Sequence, residues 1–107
     1  MASAYKNAKV DLTSTDITVL YTCPSVTTAI VTSIIVSEDS GNADTITVTL
    51  TNAAAAIFSL FKVKAVSANT TVELLTRPLV VEESEVLKVT AATGGRLHVV
   101  ASLLELS

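Results

Sequence analysis

The clearest pattern in the chain is a strict alternation of polar and apolar residues. Residues 45–50 read Thr-Ile-Thr-Val-Thr-Leu, and similar alternation recurs through most of the sequence. A period of two places every second side chain on the same face of a strand, so one face can be buried while the other meets water. The β-branched residues Thr and Val, which are abundant here, suit a pleated sheet. The pattern therefore predicts an all-β protein.

Strand-like stretches recur about every ten residues with short turns between them. We place them at residues 10–13, 17–22, 29–37, 45–50, 58–66, 71–76, 79–81, 85–92 and 96–106. The first of these is short, and we expect about eight strands in all. Short strands at this spacing are typical of a β-sandwich or small barrel. The predicted fold is an antiparallel β-sandwich of jelly-roll-like type.

Three connections carry turn signals. The polar loop 38–43 contains Gly and Asn, which tolerate positive φ, and it predicts a hairpin between the strands at 29–37 and 45–50. Thr93-Gly94-Gly95 predicts a tight hairpin before the last strand. The segment 52–58 begins with Asn and four alanines, so it predicts a loop with at most one helical turn.

Two predicted strands have apolar residues on both faces, which is typical of a central strand or of one covered by a neighbouring subunit. In the strand at 29–37, Val31 and Ile35 lie opposite the face that carries Ile30, Thr32, Ile34 and Val36. In the last strand, 97–106, the apolar residues of both faces are Val99, Val100, Leu103 and Leu104. We expect this last strand to be either central or interfacial.

The length of 107 residues fits one domain. We assign residues 10–107 to a single β-sandwich domain. Residues 1–9 are small and polar, and we interpret them as a flexible N-terminal arm of the kind that docks on a neighbour in assemblies. Half of the residues are hydrophobic and only 16% are charged, against roughly 25% in typical soluble domains. This excess fits a compact core, and it also favours a subunit interface, so we predict a homo-oligomer.

Charge and hydropathy argue against two classes of partner. The net charge is −3, and the seven Lys and Arg residues are dispersed along the chain. A basic stripe is the minimum requirement for phosphate-backbone binding, so we predict no nucleic-acid partner. No apolar run approaches the ~20 residues that span a bilayer, and we predict no membrane association. The first residues also lack a secretory signal, which favours maturation in the cytoplasm.

We assign no catalytic, cofactor-binding or metal-binding residue, and no cofactor. Cys23 is the single cysteine and His98 the single histidine, and nucleophilic catalysis needs such a pair within hydrogen-bond reach together with an orienting group. His98 instead lies in a predicted strand. The acidic turn 82–85 and the loop 38–44 carry oxygens that Ca²⁺ uses, but a solvated turn and a plain loop explain them more simply. We therefore predict that the protein is not an enzyme.

Several strand-and-turn elements resemble small virion proteins of tailed bacteriophages. The similarity begins with residues 21–37, which read Tyr-Thr-Cys-Pro-Ser-Val-Thr-Thr-Ala-Ile-Val-Thr-Ser-Ile-Ile-Val-Ser, followed by the polar loop and the strand at 45–50. It continues at residues 66–75 and 79–91, so that it spans roughly 17–106. The chain departs from the family pattern at residues 24–26 and 83–84, where glycine is commoner.

This resemblance implies a β-sandwich subunit of a virion, assembled in the host cytoplasm. It also implies symmetric self-association, with a trimer as the favoured state. Within the particle it implies a capsid decoration (cement) protein that binds the major capsid protein or other virion proteins; a neck or tail connector or a fibre component is the alternative. Two other classes stay open: a small module that binds a carbohydrate or host surface, and a cellular structural or adaptor domain. The scarcity of aromatic residues, with two Tyr, two Phe and no Trp, argues against a carbohydrate site.

Overall fold

The computed structural model describes residues 2–107 of the chain. These residues form nine antiparallel strands, joined by turns and loops, and no helix. The strands are β1 (Ser3–Leu12), β2 (Thr18–Thr22), β3 (Thr28–Glu38), β4 (Asp44–Thr51), β5 (Ile57–Val66), β6 (Thr71–Glu73), β7 (Leu79–Val81), β8 (Val86–Ala91) and β9 (Leu97–Leu106). None of the described residues forms a helix that could span a membrane. The all-β prediction is confirmed.

The strands form two sheets. Sheet I has the order β1-β9-β3, with β6 and β7 both paired to the far side of β3; sheet II has the order β2-β8-β4-β5. The partners are nested, because the first strand pairs with the last, the second with the second-last, and so on to the hairpin β4–β5. A long hairpin wrapped into two sheets is the jelly-roll arrangement. Because β6 and β7 follow one another along β3, they act as one interrupted strand, and the sandwich has eight strand positions.

Two predicted hairpins are wrong. Strand β3 lies in sheet I and β4 in sheet II, and β8 and β9 are likewise in different sheets. Among residues 2–107 only β4 and β5 are both consecutive and paired. Turn residues indicate that the chain reverses direction, but they do not indicate whether the next strand pairs with its predecessor or crosses to the other sheet.

The two glycines of the Gly94-Gly95 turn have a structural role other than closing a hairpin. A Cβ atom at Gly94 would lie 2.5 Å from the carbonyl oxygen of Thr13, and Gly95 has a φ of +81°. The Gly95 N–H donates to the Leu12 carbonyl at 2.8 Å. The glycines thus allow the β8–β9 crossover to lie against the corner between β1 and β2.

The facing sides of the two sheets form one apolar core. Its large aliphatic side chains each contribute about 1.5–3 kcal/mol through burial. The buried apolar residues are Leu12, Leu20, Cys23, Ala29, Val31, Ile34, Val36, Ile46, Val48, Val66, Leu74, Val81, Leu87, Val89, Ala91, Leu97, Val99, Ala101 and Leu103. We expected the last strand to be either central or interfacial. Strand β9 is central in sheet I, between β1 and β3, and its inner face is part of this core.

Strand β3 contains a bulge that changes which residues face the core. Its pairing with β9 shifts between Val31 and Ser33, so the buried positions move from Ala29 and Val31 to Ile34 and Val36. The predicted face that joined Ile30 to Ile34 is therefore wrong. A bulge adds one residue to a strand and inverts the alternation beyond it, which a strict period of two does not reveal.

Residues 3–12 form one continuous strand, so the predicted boundary at residue 10 falls inside β1. All ten residues of β1 pair with β9 without a register shift. Ala8 and Val10 are half-buried against the core, and Leu12 is fully buried. The inward positions alternate with polar outward ones, which makes this segment an edge strand of sheet I rather than an arm outside it.

Candidate assembly surface

An apolar row crosses the outer face of sheet I from edge to edge. Tyr5 of β1 is opposite Leu104 of β9, Leu104 is opposite Ile30 of β3, and Ile30 is opposite Val80 of β7. We call these four residues the apolar row. Tyr5 is 86% exposed and Val80 51% exposed, whereas the two central residues are half-buried by their neighbours. Val100 and Ile35, paired with each other, extend the apolar surface further along β9 and β3.

The outer face of sheet II is polar along its two central strands, β8 and β4, and the exposed apolar residues of this sheet lie on its edge strands β2 and β5: Val19, Ile57, Phe58 and Val63. Thr47 is opposite Thr90, and Thr49 is opposite Lys88. The exposed Val19 lies beside Lys88 at the β2 edge. Because contiguous exposed apolar surface marks interaction sites, sheet I carries the stronger candidate for a contact with another protein.

The two sheets are joined near the β1 edge by a polar cluster of Tyr21, Glu105 and Lys6. The Tyr21 hydroxyl donates to Glu105 Oε2 at 2.5 Å, and Lys6 Nζ lies 2.9 Å from Glu105 Oε1. Burial and the hydrogen bond to Glu105 raise the pKa of Tyr21. The bonds from Tyr21 and Lys6 lower the pKa of Glu105. The cluster fixes β1 and β9 of sheet I to β2 of sheet II.

The acidic residues of the 38–44 loop bind backbone groups of the protein itself. The buried Glu38 carboxylate accepts hydrogen bonds from the N–H groups of Ser40 (2.8 Å), Asn69 (3.0 Å) and Gly41 (3.1 Å), and from the Ser40 hydroxyl. Burial alone raises the pKa of Glu38, but these bonds outweigh it and lower the pKa to about 2. Asp44 accepts from the N–H groups of Thr45 and Thr93. These carboxylates hold loops together.

The acidic turn 82–85 acts in the same way. Glu83 accepts a hydrogen bond from the Val26 N–H, and Glu85 Oε1 accepts from the Glu82 N–H at 2.8 Å. Across residues 2–107, no three His, Cys, Asp or Glu side chains are grouped so that they could hold a metal ion. Val26 and Ser84 have φ values of 54° and 66°, and both lie where the resemblance led us to expect glycine. The carboxylate of Glu83 helps to hold this left-handed backbone in place.

Cys23 and His98 lie at opposite ends of the sandwich. Cys23 is buried, its Sγ lies 3.3 Å from the Thr27 carbonyl oxygen, and burial raises the pKa of its thiol. His98 is on the outer face of sheet I, with Nε2 3.2 Å from Asp11 Oδ1 and Nδ1 3.6 Å from Asp39 Oδ2. The fold therefore does not bring these two side chains together as a nucleophile and its base.

The depressions on this side of the protein are small. One of about 230 Å³ is bordered by Asp11, His98 and Val100, and another of about 320 Å³ by Tyr5, Asn7 and Ser102. Small-molecule sites are typically clefts of about 300–1,000 Å³ that enclose most of the ligand; the first depression is smaller than this range and the second is at its lower limit. This side of the protein thus presents exposed apolar residues and strand edges to another protein rather than an enclosed site for a ligand.

No protein-family model matches the sequence, and no curated protein matches it either. Among solved structures, the chain is similar to a chain in the structure of infectious bursal disease virus, Gx strain. That likeness has a TM-score of 0.59 at 8% identity and covers 96% of this chain but 32% of the other. A chain in the structure of the Gt strain has 8% identity, coverage of 98% and 30%, and a TM-score of 0.43. The protein thus spans about a third of the chains it matches. The first likeness shows a shared β-sandwich fold.

The sequence had not indicated the apolar row. Its four members lie on four strands, and the β3 bulge determines that Ile30, rather than Ile34, points outward. The alternation Tyr5-x-Asn7-x-Lys9 against Ala8, Val10 and Leu12 was a signal for β1 that the small, polar composition of residues 1–9 obscured.

Proposed function

We propose that this protein is a structural component of a virus particle, and more specifically a decoration protein on the head of a tailed bacteriophage. The apolar row on sheet I carries the proposal, because it gives a jelly-roll domain one face suited to contact with a capsid surface. The fold shared with a chain of a virus structure supports the broader role, and the sequence resemblance supports the phage assignment. The main partners are the major capsid protein and further copies of this chain, with a trimer as the favoured self-assembly.

Such a protein would act by mass action. A subunit that binds the assembled shell and not its free components stabilises the shell by the free energy of that binding. The low charge of the chain limits the desolvation of ions in a protein contact. Several linked copies would bind with higher avidity than one. This role needs no cofactor, no nucleic acid and no membrane.

The distribution of aromatic residues gives no support to a carbohydrate-binding module. Tyr5 and Phe58, the two exposed aromatics, are in different sheets, on β1 and β5. A sugar platform would require them side by side. A connector or fibre position elsewhere in the virion is the alternative that the following experiment separates.

The test is to purify virus particles from cells that carry this gene and to quantify the chain in isolated heads and tails by immunoblot and peptide mass spectrometry. We expect many copies in the head fraction. We also expect particles that lack the protein to release their genome at a lower temperature, and added protein to restore the wild-type value. Copies confined to tails would favour the connector or fibre role, and absence from particles would contradict the proposal.

The surface is tested with two variants added back to particles that lack the protein. Val80→Asp places a charge in the apolar row, and Thr90→Asp places the same charge on the outer face of sheet II. We expect the first to weaken particle binding at least tenfold and the second to leave it unchanged. Equal binding by both variants would assign the contact to another surface.

A further inference from the structure

We propose that the free edge of β1 pairs with the same edge of a second copy, so that two sandwiches join into one continuous sheet around a two-fold axis. This inference rests on the proposed self-association and deepens it by adding a two-fold contact, through which trimers formed at another surface would join into hexamers; it names the surface and the register. The occupant is a second copy of this chain, because the edge is complementary to itself.

The hydrogen-bond pattern shows which groups of β1 are free. Ala2 and Ser107 exchange both backbone hydrogen bonds, at 2.6 and 2.8 Å. Bonded and non-bonded pairs alternate along an antiparallel ladder, so the even-numbered residues of β1 bond to β9. The N–H and C=O groups of the odd-numbered residues therefore point away from β9, across the open edge of the sheet. These residues are Ser3, Tyr5, Asn7, Lys9 and Asp11; the Asp11 carbonyl also accepts a hydrogen bond from the Thr13 N–H at 3.0 Å.

The two edge strands of ten residues differ in how they are protected. The pairing of β5 with β4 is irregular at two places, Val63 has a φ of 53°, and Lys62 and Lys64 flank it. Bulges and lysines of this kind discourage pairing at an exposed edge. β1 has no bulge or proline along its ten paired residues. Its inward lysine, Lys6, is neutralised by Glu105 of the same chain at 2.9 Å.

One register uses the whole free edge. When Asn7 faces Asn7 of the second copy, Tyr5 faces Lys9 and Ser3 faces Asp11, so all five outward positions of each strand are paired. This arrangement makes about ten backbone hydrogen bonds. It sets no like charges directly opposite each other, whereas a register centred on Lys9 would pair two lysines. In the chosen register Lys9 meets the aromatic ring of Tyr5, a favourable cation–π combination.

The pairing would also enlarge the apolar surface. A two-fold axis perpendicular to the sheet keeps the outer faces of both copies on the same side. The apolar rows of the two copies would then begin at Tyr5 residues about 13 Å apart along the joined edge and extend in opposite directions. Two linked rows bind a shell with greater avidity than one.

The first experiment measures solution mass by light scattering over a range of concentrations. We expect an even number of protomers for the wild type: a dimer, or a hexamer if trimers form through another surface. Asn7→Pro removes an N–H group that β9 does not use, and proline is tolerated on the outer side of an edge strand. We expect this variant to show half the wild-type mass, while the matched control Asn7→Ala retains it. A monomeric or odd-numbered wild type, or an unchanged mass for Asn7→Pro, would overturn the proposal.

A second experiment tests the register without relying on proline. Asn7→Cys would place two thiols on residues whose Cα atoms are about 5.5 Å apart, within disulfide range, and Cys23 is buried and does not compete. Lys9→Cys is the control, since its two copies would lie about 13 Å apart. We expect rapid dimer cross-linking for Asn7→Cys alone. Equal cross-linking by both variants, or by neither, would refute the register. Failure of the proposed function would appear separately, as wild-type protein that does not bind particles.

Discussion

At the scale of single residues, carboxylates that accept several hydrogen bonds hold the loops of this protein. Glu38 ties the loops around Ser40 and Asn69 together, Glu105 joins the two sheets, and Glu73 accepts from Ser33 and Ile34 at the β3 bulge. In each case the charged form is the one that the fold stabilises, and the pKa is lowered. These acids therefore give the protein a stability that depends on pH.

Glu38 sets the first prediction. Its pKa is lowered from 4.5 to about 2, so its contribution is fully present above pH 4.5 and is lost as the pH falls towards 2. We expect Glu38→Gln to be less stable than the wild type at pH 7 and to approach it near pH 2. Urea unfolding at several pH values measures both curves. The control is Glu82→Gln in the exposed turn, and a constant difference between the Glu38→Gln and wild-type curves across pH would contradict the assignment.

Tyr21 sets the second prediction. Tyr21→Phe removes the hydroxyl that donates to Glu105 while keeping the ring. A hydrogen bond to a charged group contributes roughly 1.5–3 kcal/mol, and Lys6 still pairs with Glu105, so we expect a loss of about 1–2 kcal/mol. Chemical denaturation measures it. Tyr5→Phe on the exposed outer face serves as the control and should leave the free energy of unfolding unchanged within about 0.5 kcal/mol.

At the scale of elements, β9 separates stability from binding on its two faces. Leu103 is buried in the core, and its neighbour Leu104 belongs to the apolar row. We expect Leu103→Asp to unfold the domain, because an unpaired charge in the core is strongly destabilising. We expect Leu104→Asp to fold and to lose particle binding. Circular dichroism and cosedimentation with particles measure the two effects, and an unfolded Leu104→Asp would mean that the outer face is needed for the fold.

The strands also show what alternation along the sequence does not indicate, namely the position of a bulge and the choice of a neighbouring strand. The alternation in 45–50 correctly located a strand with one buried face, because β4 has a regular pleat over those residues. In β3 the alternation was correct on each side of the bulge and inverted across it, since one additional residue changes the face of all that follow. The polar loop 38–43 correctly located a chain reversal, but only the packing of the two sheets determined that β4 crosses away from β3.

At the scale of the whole molecule, the first and last strands close sheet I together. This predicts that residues 2–9 are part of the folded domain, and that a chain beginning at Val10 is less stable than the wild type. We expect its melting temperature to fall by about 10 °C or more, which corresponds to a few kcal/mol for a domain of this size, and its newly exposed β9 edge to promote aggregation. Calorimetry and light scattering measure these changes. A truncated protein as stable as the wild type would instead support a dispensable arm.

Local alternation and turn chemistry were enough to predict the strand content, the positions of most strands and the sandwich class. Which strands are neighbours, where β1 belongs and which apolar residues remain outside depend on contacts between distant parts of the chain and became known only from the fold. Pairing between β1 and β9 joins residues nearly a chain length apart, and no local pattern encodes such a partner. The apolar row arises from that pairing together with the β3 bulge, so the candidate surface became visible only once the sheets were assembled.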